Sequence, residues 1–175
     1  MEILDLYDIN RIKTSKKHLR GEKVIPDHYR LVVRAAIFNE HNQMLIQKRQ
    51  ATKQNKRWDN YWDISVSGSV IQGETSQQGI QREVQEELGL HYDFSQTRPA
   101  LTINFYEGFD DIYLIEIPKL DIATLTLQPE EVAAIKWATQ AEIIEMIDQG
   151  IFVTWNKDLL NLLFSLKGKW SNFDI

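Results

Sequence analysis

The sequence predicts an α/β fold, a mixed sheet with helices packed on its faces. Three observations carry this. Apolar runs of strand length recur along the first two thirds of the chain. The segment Thr75 to Leu88 switches to a helical period in their midst. Two further helical segments follow near the end.

The elements follow in order. Residues 1–27 read as a small hairpin or arm ahead of the sheet. Leu31 to Phe38 is apolar on both faces, as a central strand is. "NEHN" supplies turn residues, and "QMLIQKR" is the return strand. "ISVSG" is a short strand ending at Gly68. Thr75 is an N-cap with Gln78 three residues on, a capping box, and Gly89 stops that helix. Ile80, Val84 and Leu88 form its buried stripe. "ALTINFYEG" and "DIYLIEIP" read as strands joined by "EGFDD", and "EVAAIKWAT" as a further strand. A second capping box, Thr139 and Glu142, opens a helix closed by Gly150, and "NKDLLNLLFSLKG" is the last helix. No repeat, low-complexity tract or linker interrupts the chain, so residues 1–175 are expected to form one domain.

Composition narrows the function. Of the 175 residues, 43% are hydrophobic and 26% charged, an ordinary globular balance. No apolar run approaches the roughly 20 residues that span a membrane. The start, "MEILDLYDIN", is acidic and unlike a secretory signal. There are no cysteines, which excludes thiolate metal sites and cysteine nucleophiles. A cytoplasmic protein is expected. The net charge of −5 argues against nucleic acid as a partner. Two basic clusters stand out, "RIKTSKKHLR" and "KRQATKQNKR". The second brings together Lys48, Arg49 and Lys53, with Lys56 and Arg57 following, and reads either as plain surface or as a grip for phosphates.

Glu83, Glu86 and Glu87 raise the sharpest question. At about 100° per residue they lie on one face of the helix, beside the buried stripe and not around the wet side. No lysine stands at i+4 to relieve their repulsion. They are either a solvated face or the ligands of a cation, and all-oxygen ligation suits magnesium or manganese. Gly79 lies one turn above Glu83. It leaves open space for a ligand or packs closely on a neighbouring backbone.

The loop weighs on the choice. Gly68, Gly73, Glu74, Arg82, Glu83, Val84, Glu86, Glu87, Gly89 and Leu90 fit G-x5-E-x7-R-E-U-x-E-E-x-G-U, U being aliphatic, at every specified position. In this the sequence resembles the Nudix hydrolase family. The resemblance implies a strand–loop–helix unit within an α/β/α sandwich with helices on both faces of a mixed sheet. It implies that Glu83, Glu86 and Glu87, with the backbone carbonyl of Gly68, bind Mg2+ or Mn2+. Glu74 and Arg82 would pair to hold the loop. The implied activity is hydrolysis of the diphosphate of a nucleoside diphosphate linked to a moiety X. For the general base, Glu107, Asp110, Asp111, Glu130 and Glu131 are candidates, and Glu131 is favoured.

Residues 6–53 resemble the branch related to isopentenyl-diphosphate isomerase, which implies that Arg49 and Lys53 grip a diphosphate. The isomerase needs a cysteine before the loop glycine and a histidine after it. Ser67 and Ser69 stand there instead, so hydrolysis is expected. A Nudix-fold sensor that binds without turnover is the alternative. Trp58, Tyr61, Trp62 and Tyr106 are either core or a stacking surface, Trp137 is expected in the core, and His18, His28, His41 and His91 are expected at the surface. The partner is expected to be a small diphosphate compound, with no membrane, and a homodimer could form through the arm.

Overall fold

The computed structural model describes residues 2–51 and 57–169. The chain forms strands β1 (Ile3–Tyr7), β2 (Lys13–Leu19), β3 (Arg30–Phe38), β4 (Met44–Arg49), β5 (Trp62–Asp63) and β6 (Val66–Ser69), helix α1 (Ser76–Leu88), strands β7 (Leu101–Phe105) and β8 (Gly108–Glu116), a 3-10 turn at Ile122–Thr124, strand β9 (Val132–Ala138) and helices α2 (Gln140–Asp148) and α3 (Lys157–Leu166). One sheet runs β5-β4-β3-β8-β7, with β6 also paired to β3 and β9 to β4. Neighbours such as β4 and β9 are antiparallel. The Arg30 N–H bonds the Glu107 carbonyl at one end of β3, and the Ile117 N–H bonds the Phe38 carbonyl at the other. β3 and β8 therefore run in the same direction, and the sheet is mixed. The α/β class expected from the sequence is the class observed.

The contacts gather into two compact units: Met1–Ala35 with Ser67–Gln85 and His91–Tyr113, and Ala36–Val66 with Glu86–Leu90 and Leu114–Ile175. In the first, β1 and β2 make an antiparallel hairpin that buries Leu4 and Leu6. The hairpin is tied to the loop before α1. Gln72 donates its N–H to the Ile3 carbonyl at 2.8 Å, and Gly73 donates to Asp5 Oδ2 at 2.8 Å. Gly73 has a φ of 88°, a conformation a side chain would strain. Asp5, only 2% exposed, also receives Lys13 and Lys17. Burial pushes the Asp5 carboxyl up, and the two lysines and the Gly73 N–H outweigh it, holding the pKa at about 2.

In the second unit a helix residue meets each face of the β3–β4 pair. Phe38 pairs with Met44 in register and meets Phe164 of α3 edge-on at 5.0 Å. Gln47 is an odd number of residues from Met44 and so faces the other way, where it bonds Glu87 of α1. The capping box of α2 forms as its spacing predicts, with Thr139 and Glu142 bonding each other's backbone N–H.

Three expectations are corrected. "EGFDD" is not a connecting loop: β8 begins at Gly108, and the turn is only Tyr106 and Glu107. Asp110 and Asp111 stay in the strand because each has a cationic partner, Arg34 for Asp110 and Arg11 for Asp111. Gly68 lies within β6 and does not end it. His18 is 6% exposed, because the hairpin register sets it opposite Leu4 on the covered side.

Candidate metal centre

Helix α1 starts as its sequence dictates. Thr75 Oγ1 accepts from the Gln78 N–H at 3.2 Å, and Gln78 Oε1 accepts from the Thr75 N–H at 2.8 Å. Ile80, Val84 and Leu88 are fully buried, each contributing about 1.5–3 kcal/mol of apolar burial. That stripe draws its flank inward with it. Glu83 is 6% exposed and Glu87 2%, while Glu86, on the outer edge of the same face, is exposed. Burying carboxylates costs several kcal/mol each unless they are well partnered.

The partners are specific. Arg82 donates Nε to Glu74 Oε1 at 2.8 Å and Nη2 to Glu74 Oε2 at 3.2 Å, a bidentate pair. It also donates Nη2 to the Ser69 carbonyl and Nη1 to Glu83 Oε1, both at 2.9 Å. Burial works against the Arg82 charge, but the bonds and fields of Glu74 and Glu83 prevail and raise its pKa. The loop and the first turns of α1 are thus clamped by one guanidinium. Gly68 is part of this packing. A Cβ there would lie 1.9 Å from Glu83 Cδ, so the carboxyl rests directly on the glycine backbone. Gly79 resolves in favour of close packing, since its Cβ would meet Val70 Cγ2 at 2.9 Å and Val70 Cα at 3.4 Å.

One turn on, Glu87 Oε2 accepts from Gln47 Nε2 at 2.9 Å. Gln47 is 3% exposed, and its Oε1 is buried with no hydrogen-bond partner among the described residues. The C-terminus of α1 is capped by distant backbone. Thr126 N–H bonds the Leu88 carbonyl and Gln128 N–H bonds the Glu87 carbonyl, both at 3.1 Å. That stretch leads directly to Glu131, whose carbonyl accepts from Gln50 N–H at 2.7 Å beside Arg49. The Glu131 side chain is exposed. Arg49 Nη1 lies 3.4 Å from Asp63 Oδ2, and Asp63 Oδ1 takes Trp155 Nε1 and the Ile64 N–H, both at 2.9 Å. Gln47, Arg49, Glu87 and Glu131 thus belong to one bonded neighbourhood. Lys53 lies outside the described residues.

Among the described residues, no three His, Asp or Glu side chains come together as a ready metal cluster. Glu83 meets Arg82 and Glu87 meets Gln47 instead. Asp111 does not suit a base. It is fully buried and takes Arg11, Ser76 Oγ at 2.6 Å and Thr102 Oγ1 at 2.7 Å. Asp110 is likewise engaged, by Arg34 Nε at 2.6 Å. Trp58 and Tyr61 are half-buried and meet at 5.4 Å, with Arg57 over the Trp58 ring. Lys136 lies over Trp62. Trp137 is half-buried, short of the core position expected of it, and Tyr106 is 96% exposed. Sequence reasoning missed Gln47. Its signal was a lone amide inside the buried run Met44 to Gln47.

A mixed α/β sheet with a strand–loop–helix bearing this box defines a class of hydrolases, and comparison with known proteins agrees. The family model of the NUDIX domain matches residues 28–160. An uncharacterized Nudix hydrolase of Listeria monocytogenes is 47% identical over 167 residues, covering 95% of this chain and 96% of its own. The crystal structure of DR0079 from Deinococcus radiodurans matches with a TM-score of 0.72 and 26% identity, over 93% of this chain and 97% of that one. An isopentenyl-diphosphate isomerase of Salmonella heidelberg is 32% identical over 58% of each chain. The chain belongs to the Nudix hydrolase family.

Nudix hydrolases generally use divalent cations, and two observations fit one here. The Glu83 carboxyl sits in a cradle that any side chain at position 68 would fill. A buried amide oxygen without a partner among the described residues lies on the side chain that holds Glu87. Hard oxygen donors of this kind suit Mg2+ or Mn2+.

Proposed function

We propose that the chain is a Mg2+- or Mn2+-dependent hydrolase that cleaves the diphosphate of a nucleoside diphosphate linked to a moiety X. The complete box from Gly68 to Leu90, with Glu83 and Glu87 buried on one face of α1, supports this above all. Glu83, Glu86, Glu87 and the Gly68 carbonyl are the residues that would hold the cation. When bound, it supplies polarisation of a phosphoryl oxygen and activation of water. Arg49 binds the diphosphate, oriented by Asp63, and Lys53 joins it. Glu131 takes the proton of the attacking water. The new bond is from water oxygen to phosphorus, and the bond that breaks is from phosphorus to the bridging oxygen. Glu74 and Arg82 keep the loop in place. In this reading residues 1–175 act as one domain in the cytoplasm, on small molecules and not on nucleic acid, and the hairpin at residues 1–27 serves pairing of two copies.

The test is a panel of nucleoside diphosphates, nucleotide sugars, dinucleotides and isopentenyl diphosphate, incubated with Mg2+ or Mn2+ and read by product mass. Cleavage at the diphosphate, with nearly all rate lost in Glu83→Gln and Glu87→Gln, is expected. Binding of a compound and a metal without any cleavage would favour a sensor. Isopentenyl diphosphate recovered at its own mass but with a shifted chromatographic retention would favour isomerisation.

A further inference from the structure

We infer that Gln47 is a positioning residue of the cation site, its amide N–H fixing the Glu87 carboxylate and its buried carbonyl oxygen serving as acceptor for a water of the cation's shell. The inference rests on the proposed cation dependence.

A carboxylate only accepts hydrogen bonds, so the Nε2 of Gln47 must face Glu87 and the Oε1 must face away from that bond. The bond is 2.9 Å, and Gln47 is 3% exposed. Oε1 is therefore buried, fixed in direction and without a donor among the described residues. Buried acceptors are almost always satisfied, and an exception calls for a ligand or a water. Magnesium and manganese keep several waters when bound by a few carboxylates. Such waters are donors, and they come with the cation that Glu87 would hold.

The identity of the residue also fits. β4 carries Leu45, Gln47 and Arg49 on one face, and Gln47 stands opposite Asp63 in register. An apolar side chain at position 47 would leave Glu87 without this donor. An arginine or lysine would add a positive charge beside the proposed ligand and compete with the cation. A neutral amide holds the carboxylate and leaves its charge available.

The experiment measures Mn2+ affinity without substrate, by the EPR signal of free Mn2+, together with melting temperature in chelator. Gln47→Met keeps length and volume but has neither donor nor acceptor amide. It is expected to bind Mn2+ about 10- to 100-fold more weakly than wild type, while its melting temperature in chelator falls by only a few degrees, the cost of the lost bond to Glu87. Affinity within twofold of wild type overturns the inference, as does a loss matched by equal unfolding. Should Gln47→Met not fold, Gln47→Glu keeps length and an acceptor oxygen while facing Glu87 with a second carboxylate. Mn2+ is then expected to raise its melting temperature more than it raises that of wild type, and indifference to Mn2+ overturns the inference. Wild type that binds no Mn2+ refutes the cation dependence itself and this role with it. Wild type that binds while Gln47→Met binds equally refutes the role of Gln47 alone.

Discussion

Gly68→Ala is the most incisive perturbation of the site. The φ of Gly68 is not in the left-handed region, so alanine fits its backbone in β6. The added Cβ does not fit its surroundings, lying 1.9 Å from Glu83 Cδ, 2.0 Å from Oε1 and 2.5 Å from Cγ. Carbon–carbon contact begins near 3.5 Å, so the carboxyl must retreat by about 1.5 Å. That breaks the 2.9 Å bond from Arg82 Nη1, between side chains 19% and 7% exposed. A charge-assisted bond of this burial is worth about 1.5–3 kcal/mol. Removing a glycine from a strand returns about 0.5–1 kcal/mol. The net loss is about 1–2 kcal/mol, or a fall in Tm of several degrees for a chain of this size. Activity is expected to fall far more, by about 100-fold, since a 1 Å misplacement of a reacting group costs that much. The assay is kcat/KM on whichever panel compound is cleaved, beside Tm and Mn2+ affinity. Activity within threefold of wild type, with Tm lowered as stated, would refute the role of Glu83. A Tm drop well beyond 10 °C would show that backbone, and not the carboxyl, gives way.

Asp111→Asn should lower stability by about 3 kcal/mol, because the buried carboxylate receives Arg11, Ser76 and Thr102 at once and removing its charge strands a cation; denaturant unfolding would check it. Asp5→Asn should destabilise by about 1–2 kcal/mol near neutral pH. The folded pKa of about 2 lies below the ordinary 3.8, so the stabilising contribution is full above pH 3.8 and vanishes as pH falls to 2. The gap corresponds to about 2 kcal/mol, discounted because Lys13 and Lys17 are nearly half exposed. Melting curves of both proteins should converge towards pH 2. Arg49→Ala should raise KM at least tenfold with little change in kcat if Arg49 grips the diphosphate. A KM unchanged while Tm falls would assign Arg49 to holding Asp63 alone.

Much of this protein was legible in its sequence, and the reason is locality. The period of Ile80, Val84 and Leu88, the capping boxes at Thr75 and Thr139 and the spacing of the box from Gly68 to Leu90 all involve residues a few positions apart. Those patterns determined helix α1, its buried face and the placement of Glu83 and Glu87 beside that face. The partnership of Arg82 with Glu74, eight residues apart, was implied by the family resemblance that the box carries. The glutamates themselves could be counted from the chain, but not what each one touches.

The tertiary structure decided the rest. Whether Gly79 made room or packed closely turned on Val70. Asp110 and Asp111 read as turn residues because acids favour turns, yet Arg34 and Arg11, about 76 and 100 positions away, keep them in β8. His18 read as surface until the hairpin register set it against Leu4. Gln47 gained its meaning only from Glu87, 40 residues distant. Periodicity reports how a residue sits on its own helix or strand. It carries no information on which distant donor the folded chain will bring to a buried oxygen, and the chemistry of this site depends on those long-range pairs.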